Sequence, residues 1–248
     1  MNKIIRFLID SLFIKKCLLC KQEKNTYLCK TCFKSLKFKE QSCLKCGAKN
    51  EYGEFCPKCQ KDFSYQGVMV AGDLKNSKLK ELITLFKYNF IKEIGYFLGL
   101  FLFLFFREKN EINPLLLSKN KDKKKFNQQN SIIIPTPLTK RRKRWRGFNQ
   151  SEIIAQIISE KEKIKIFNGL IKIKNSENQT KLSSIKRKIN LKNCFCFENK
   201  KNALKSIKGK KIIIIDDVVT TGSTLEEISK VIKKYQPKEI WGLVLAHG

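Results

Sequence analysis

An apolar run, two carboxylates and a hydroxyl-rich turn follow one another between residues 211 and 224. The run, residues 211–215, is continuous enough in isoleucine to read as a strand covered on both faces. Asp216 and Asp217 end it, and after two valines come Thr220, Thr221, Gly222, Ser223 and Thr224, where a helix begins. Ser223 and Glu226 have the spacing of a capping box, which supports starting the helix at that point. A strand-to-helix turn of this kind directs backbone N–H groups and hydroxyls at one spot, and the helix dipole favours an anion there. Gly222 lets the backbone approach a phosphate closely. The two carboxylates can accept hydrogen bonds from a ribose diol or help to hold Mg²⁺. Neither G-x-G-x-x-G nor G-x-x-x-x-G-K-[ST] is present, so neither a dinucleotide fold nor a P-loop is predicted.

Arginine gives a second signal because it is scarce. Four of the seven arginines, Arg141, Arg142, Arg144 and Arg146, fall within six residues. A guanidinium fork grips a phosphate bidentately where a lysine ammonium acts as a point charge, so the cluster predicts an anion-binding loop. Trp145 and Phe148 sit among these arginines and either stack on bases or pack on their own domain. The net charge of +30 is less specific. Lysine supplies 45 of the 52 basic residues beside abundant Ile, Asn and Phe, the bias of an AT-rich genome, so part of the charge is a solvated surface. The remainder predicts salt-sensitive affinity for polyanions such as single-stranded nucleic acid. His247 is the only histidine, which argues against histidine acid–base chemistry.

Eight of the ten cysteines form four C-x-x-C pairs: Cys17 and Cys20, Cys29 and Cys32, Cys43 and Cys46, Cys56 and Cys59. Two such knuckles complete a closed tetrahedral Cys₄ zinc site, so four pairs suit two zinc ions, paired sequentially or interleaved. Disulfides are disfavoured in a chain without an export signal. A closed site leaves no open coordination position, so the module is structural or a docking surface. Cys194 and Cys196 are spaced wrongly for a knuckle and read as ordinary apolar thiols.

The elements that must position these residues alternate along the chain. Strands are predicted at 67–72, 132–134, 163–167, 170–174, 211–215 and 239–246. Helices are predicted at 76–88, 91–107, 149–159, 180–190 and 223–235, with an amphipathic helix at 3–14. Residues 111–130 are polar and lysine-rich and read as a linker or surface insertion. The apolar stretch 95–106 is twelve residues long, too short for a membrane span of about 20, and reads as a buried helix. The predicted fold is α/β, a mostly parallel sheet with helices on both faces. A small Cys₄ module at residues 1–64 precedes a domain at 65–248 that carries a polar insertion at about 109–130.

Residues 212–225 resemble the diphosphate-sugar signature of type I phosphoribosyltransferases, and nearly the whole chain resembles the ComF family. Bacterial members of that family join a cysteine-rich zinc module to a phosphoribosyltransferase-like domain. Three further stretches carry the likeness. Arg142-x-Arg144-x-Arg146-Gly147-Phe148-Asn149-Gln150 resembles the family's RGFNQ segment. Gln179, Leu182, Ser183 and Arg187 resemble its Gln-x-x-Leu-Ser-x-x-x-Arg segment, and residues 82–88, ending in Lys87-Tyr88, resemble its early helix. Glu177-Asn178 stands where a proline pair often precedes the glutamine, and the insertion near 119–130 is longer than usual.

The resemblance implies binding of phosphoribosyl diphosphate with Mg²⁺. Thr220, Thr221, Gly222, Ser223 and Thr224 would hold the 5-phosphate, and Asp216 and Asp217 the ribose hydroxyls. The loop carrying Arg142, Arg144 and Arg146 would close over the diphosphate, with residues 135–139 forming its cradle. In a reaction, Asp216, Asp217, Arg144 and Arg146 would be the catalytic set. The resemblance also implies a cytoplasmic role in natural transformation, handling imported single-stranded DNA and docking other uptake proteins through the zinc module. The alternative it leaves open is an active phosphoribosyltransferase acting on an unidentified base or amine.

Overall fold

In a computed structural model, described over residues 15–89, 91–111, 125–174 and 193–248, alternating isoleucines divide the core into two layers. Five parallel strands form one sheet in the order β1-β7-β6-β2-β3. They are β1 (Gly67–Asp73), β2 (Ser131–Pro135), β3 (Lys165–Ile166), β6 (Lys211–Val219) and β7 (Glu239–His247). Successive side chains of a strand point to opposite faces. Ile133, Ile213 and Ile215 therefore enter one layer, and Ile132, Ile134, Ile212 and Ile214 the other. The first layer is closed by α3 (Ser77–Tyr88), α4 (Ile94–Asn110) and α6 (Gln150–Glu162). The second is closed by α7 (Lys200–Ile207) and α8 (Ser223–Lys233), with an antiparallel ribbon of β4 (Leu170–Lys172) and β5 (Phe195–Phe197).

The cysteine region adds two short helices, α1 (Lys30–Lys34) and α2 (Pro57–Gln60), and is divided between these layers. Cys17, Cys29 and Cys32 belong to the first, and Cys43 and Cys59 to the second. The apolar stretch expected to be a buried helix is α4, which lies in the first layer through Leu98, Leu102, Phe105 and Phe106. Among the described residues, no helix is long and apolar enough to cross a membrane.

Several expectations need correction. The arginine segment is a helix, α5 (Lys140–Arg146), opened by Thr139 as N-cap and ended by Gly147 in the left-handed conformation. The strand β6 continues through both acids to Val219, because Asp216 pairs with Val244 and Val218 with Ala246. The strand β5 and the helix α7 were not foreseen. The helix α8 does begin at Ser223, but its N-cap is Gly222, and Glu226 reaches out to Ser64 instead of closing a capping box. The polar insertion is anchored at both ends: the Asn110 amide donates to the Phe126 carbonyl and accepts from its N–H, each at 2.8 Å, and Phe126 is buried. The helices expected at 3–14 and 180–190, the middle of the insertion, and the segment with Gln179, Leu182, Ser183 and Arg187 lie outside the described residues.

Candidate functional site

The sheet's connectivity creates a crevice between β2 and β6. From β2 the chain passes through α6 on one face to the edge strand β3, whereas from β6 it passes through α8 on the other face to β7. Neighbouring parallel strands whose connections leave in opposite directions open a cleft beyond their carboxyl ends, where ligands of α/β sheets bind. Two loops flank it: residues 136–139 after β2, and residues 220–222 after β6.

Asp216 and Asp217 lie on the β6 side. The Asp216 Oδ1 accepts from the Asp217 N–H at 2.9 Å and from the Ser151 hydroxyl at 3.5 Å. Lys87, at the end of α3, sits 2.9 Å from Asp217 Oδ1, with both side chains more than four-fifths buried. Burial, and next the charge of Asp217, push the Asp216 carboxyl up to about 7, against the partial relief given by Lys87 and Lys172. Past the strand, the Thr221 and Ser223 hydroxyls share a hydrogen bond of 2.7 Å. Gly222 has φ of +73°, and a Cβ there would lie 2.4 Å from the Tyr65 hydroxyl. The glycine is thus required by the protein's own packing, a reason the sequence reading did not include.

On the β2 side the same cleft holds polar groups without partners among the described residues. Asn149 caps α6 and donates to the Thr136 carbonyl at 3.0 Å. Arg146 Nη1 donates to Gln150 Oε1 at 2.9 Å. Thr136 Oγ1, Arg146 Nε and Gln150 Nε2 are nevertheless buried with no hydrogen-bond partner among the described residues, where Thr136 is 7% exposed and Gln150 1%. A buried donor left unpaired costs about 1–3 kcal/mol, so such a cluster at a cleft favours an incoming acceptor.

The arginines do not act as one unit. Helical geometry places Arg142 and Arg146 on one face and Arg144 roughly opposite. Arg142 and Arg146 are half-buried, whereas Arg144 is exposed. Burial first, then the neighbouring Arg146 charge, lowers the Arg142 guanidinium, and burial followed by the Arg142 charge lowers Lys172. Lys87 and Lys172 thus act on the carboxylates, and Arg142, which acts on Lys172, has Arg146 as its own charged neighbour. The other face of α5 borders a chamber of about 790 Å³. Lys140, Arg141, Lys143, Arg144 and Lys172 line it together with Glu152 and Glu198, and Lys143 pairs with Glu152 at 3.0 Å.

Of the two aromatics among the arginines, Phe148 packs on Phe86 with ring centroids 5.3 Å apart and is part of the domain's own core. Trp145 stays 57% exposed, edge-on to the 50% exposed Tyr88 at 6.4 Å, and the Arg146 guanidinium lies about 6 Å from both rings. Sequence reasoning missed Ser151 and Lys172, and it included Thr136 only within the expected cradle 135–139. Lys87 was visible only through the resemblance, and Lys172 gives no signal in a chain so rich in lysine.

The cysteines form two separate groups, Cys17, Cys20, Cys29 and Cys32, then Cys43, Cys46, Cys56 and Cys59, with the sulfurs of each within 4.8 Å of one another. The pairing is therefore sequential. A tetrahedral zinc with bonds of about 2.3 Å sets its ligand sulfurs about 3.8 Å apart. Cys20 and Cys29 sulfurs are 3.9 Å apart, and those of Cys46 and Cys56 are 3.7 Å apart. Burial pushes Cys17 and Cys43 up, but backbone N–H groups aimed at the sulfurs outweigh it and bring both down to about 6. Burial and then the adjoining thiols push Cys32 up to about 12; the bond to Cys56 and then burial do the same to Cys59. Four thiolates cannot share so small a volume without a cation, and both sets fit structural zinc. Cys194, just before β5, and Cys196, within it, belong to neither group.

Residues 8–60 match the double zinc ribbon domain, and residues 146–247 the phosphoribosyl transferase domain. The chain is 33% identical over 223 residues to competence protein F of Haemophilus influenzae, spanning 88% of this chain and 90% of that protein. It is 28% identical over 219 residues to competence protein ComFC of Bacillus subtilis, with 84% and 85% covered. With DNA utilization protein YhgH of Escherichia coli it shares 28% identity over 208 residues, 83% of each chain.

Proposed function

The chain belongs to the competence protein F family, and we propose that it binds phosphoribosyl diphosphate in the β2–β6 crevice and serves DNA uptake by handling imported single-stranded DNA in the cytoplasm. In this reading residues 1–64 are the zinc module and residues 65–248 the binding domain. The observation that carries it is the pairing, across one crevice, of the acidic strand end and hydroxyl turn with the orphaned donors of Thr136, Arg146 and Gln150. Thr220, Thr221, Gly222, Ser223 and Thr224 hold the 5-phosphate at the start of α8, where the helix dipole favours it. Asp216 and Asp217 accept the ribose hydroxyls. Arg142 and Arg146, with Gln150 and Thr136, face the diphosphate, and Arg144 lies nearer the chamber.

Magnesium suits this donor set as a companion of the ligand. Two adjacent carboxylates are too few for a protein-only site, and Mg²⁺ is commonly bound by one or two carboxylates plus substrate phosphates. When bound it would neutralise diphosphate charge. Single-stranded DNA fits the exposed face of α5. Base planes stack on Trp145 and Tyr88, and phosphates lie against the chamber's cations, the usual division of labour in strand binding without sequence preference.

The test measures oligonucleotide binding across a salt series, with diphosphate release assayed in parallel against bases, amines and single-stranded DNA. Salt-dependent strand binding with no acceptor-dependent release is the expected result. Release that depends on a particular base would instead make the protein a phosphoribosyltransferase, and an absence of strand binding would overturn the DNA role.

A further inference from the structure

The phosphate turn is not free-standing, because residues of the second cysteine cluster pack on it from outside the crevice. Leu44, which follows Cys43, has its Cδ2 2.9 Å from the position a Gly222 Cβ would take. The fully buried Tyr65 lies closer still, with its hydroxyl 3.5 Å from the Gly222 carbonyl. One turn further on, the Ser64 N–H and hydroxyl donate to the two Glu226 carboxylate oxygens at 2.8 and 3.0 Å. The turn is thus gripped at its glycine and again at the first turn of α8.

These gripping residues take their own positions from the cluster. Tyr65 stands edge-on to Phe55 at 5.1 Å and to Phe63 at 5.5 Å, and those two rings stack at 3.9 Å. Phe55 immediately precedes Cys56. Gln60, immediately after Cys59, donates to the Tyr65 carbonyl at 2.9 Å. The knuckle Cys56–Cys59 therefore fixes Tyr65 from both sides, and the facing knuckle carries Leu44. Among the described residues the first cluster has no such link. It sits in the opposite core layer and meets α3 through Lys21 with Glu81 and Ser35 with Lys78, about 9 and about 14 Å along the helix from Lys87.

We propose that the second cysteine cluster, through Leu44, Ser64 and Tyr65, sets the conformation of the phosphate turn, so that metal at that cluster, and not at the first, governs affinity for phosphoribosyl diphosphate. The proposal rests on the reading of residues 220–224 as the phosphate turn. Structural zinc sites contribute folding energy directly, so losing the metal loosens both knuckles and the residues between them.

The experiment uses the full chain and a matched pair of variants, Cys46→Ser and Cys20→Ser, each removing one exposed ligand from one cluster. Zinc is counted with a colorimetric chelator, affinity for magnesium phosphoribosyl diphosphate is measured by calorimetry, and hydrogen exchange is followed in the peptide spanning residues 219–226. Each variant should lose one zinc. Cys46→Ser should weaken binding about ten-fold, an ordinary coupling between sites, and speed exchange in that peptide. Cys20→Ser should stay within about two-fold, as independent sites do. Leu44→Ala, which removes no metal ligand, should keep both zincs and still weaken binding. Equal effects of the two cysteine variants, or no effect of either, would overturn the proposal. If the wild-type chain binds no phosphoribosyl diphosphate, the reading of the turn fails, and the exchange comparison alone still decides whether the cluster positions it.

Discussion

Replacing Asp216 with Asn should stabilise the free protein and abolish its ligand affinity, and the gain in stability should depend on pH. Burial and the charge of Asp217 raise the Asp216 carboxyl from its usual 3.8 to about 7. Between those two values the folded state binds more protons than the unfolded chain. The sign then follows: stability falls as pH rises through that interval and stays reduced above it. At about 1.4 kcal/mol per pH unit the interval caps the cost at about 4 kcal/mol. Asp216 keeps some exposed surface, and solvent screening brings the expected figure nearer to about 2 kcal/mol. Asn keeps an oxygen for the Ser151 hydroxyl and the Asp217 N–H and brings no charge. At pH 8 the variant's melting temperature should exceed that of the wild type by about 4–8 °C, measured by differential scanning calorimetry. By pH 5 the advantage should shrink to less than half. A variant no more stable than wild type at pH 8 would refute the claim that this carboxylate is held at a cost.

Gly222→Ala should destabilise by about 1–3 kcal/mol in urea titrations, because alanine is strained at φ of +73° and its Cβ meets the Tyr65 hydroxyl. Adding Tyr65→Phe should return part of that loss, and a double variant no better than the single one would deny the contact. Lys87→Ala leaves Asp217 largely buried without its cation and should cost about 1–2 kcal/mol at neutral pH, below the figure for a fully buried pair. A neutral outcome in the same titration would mean the pair is only incidental. Trp145→Ala should weaken oligonucleotide binding by about 1–3 kcal/mol in fluorescence anisotropy and leave phosphoribosyl diphosphate binding unchanged. Equal loss of both would point to a folding defect.

Much of the frame was readable in the residues because it rests on local patterns. Isoleucine runs bounded by charge or proline located β2 and β6, and C-x-x-C spacing located the two metal sites. Alternation of strand and helix implied the parallel sheet. What escaped depends on contacts distant in sequence. Glu226 matches a capping box locally, but Ser64, 162 residues away, offers two donors and takes the carboxylate. The arginine segment reads as a loop after two prolines, yet a Thr139 cap and the Gly147 stop make it a helix, which separates Arg144 from Arg142 and Arg146. Phe148 looks like Trp145 in the sequence, and only the position of Phe86 decides that one is core and the other surface. Thr136 and Gln150 fall within segments the sequence singles out, but their individual roles emerge only from side-chain atoms that are buried and unpaired among the described residues.

The central claim is that the crevice between β2 and β6 takes phosphoribosyl diphosphate, and calorimetric titration of the full chain with that ligand and magnesium tests it most directly. Saturable binding at one site per chain is expected. The double variant Asp216→Asn, Asp217→Asn should lose that binding while retaining two zinc ions per chain. Undiminished binding in the double variant, or none in the wild type, would contradict the account.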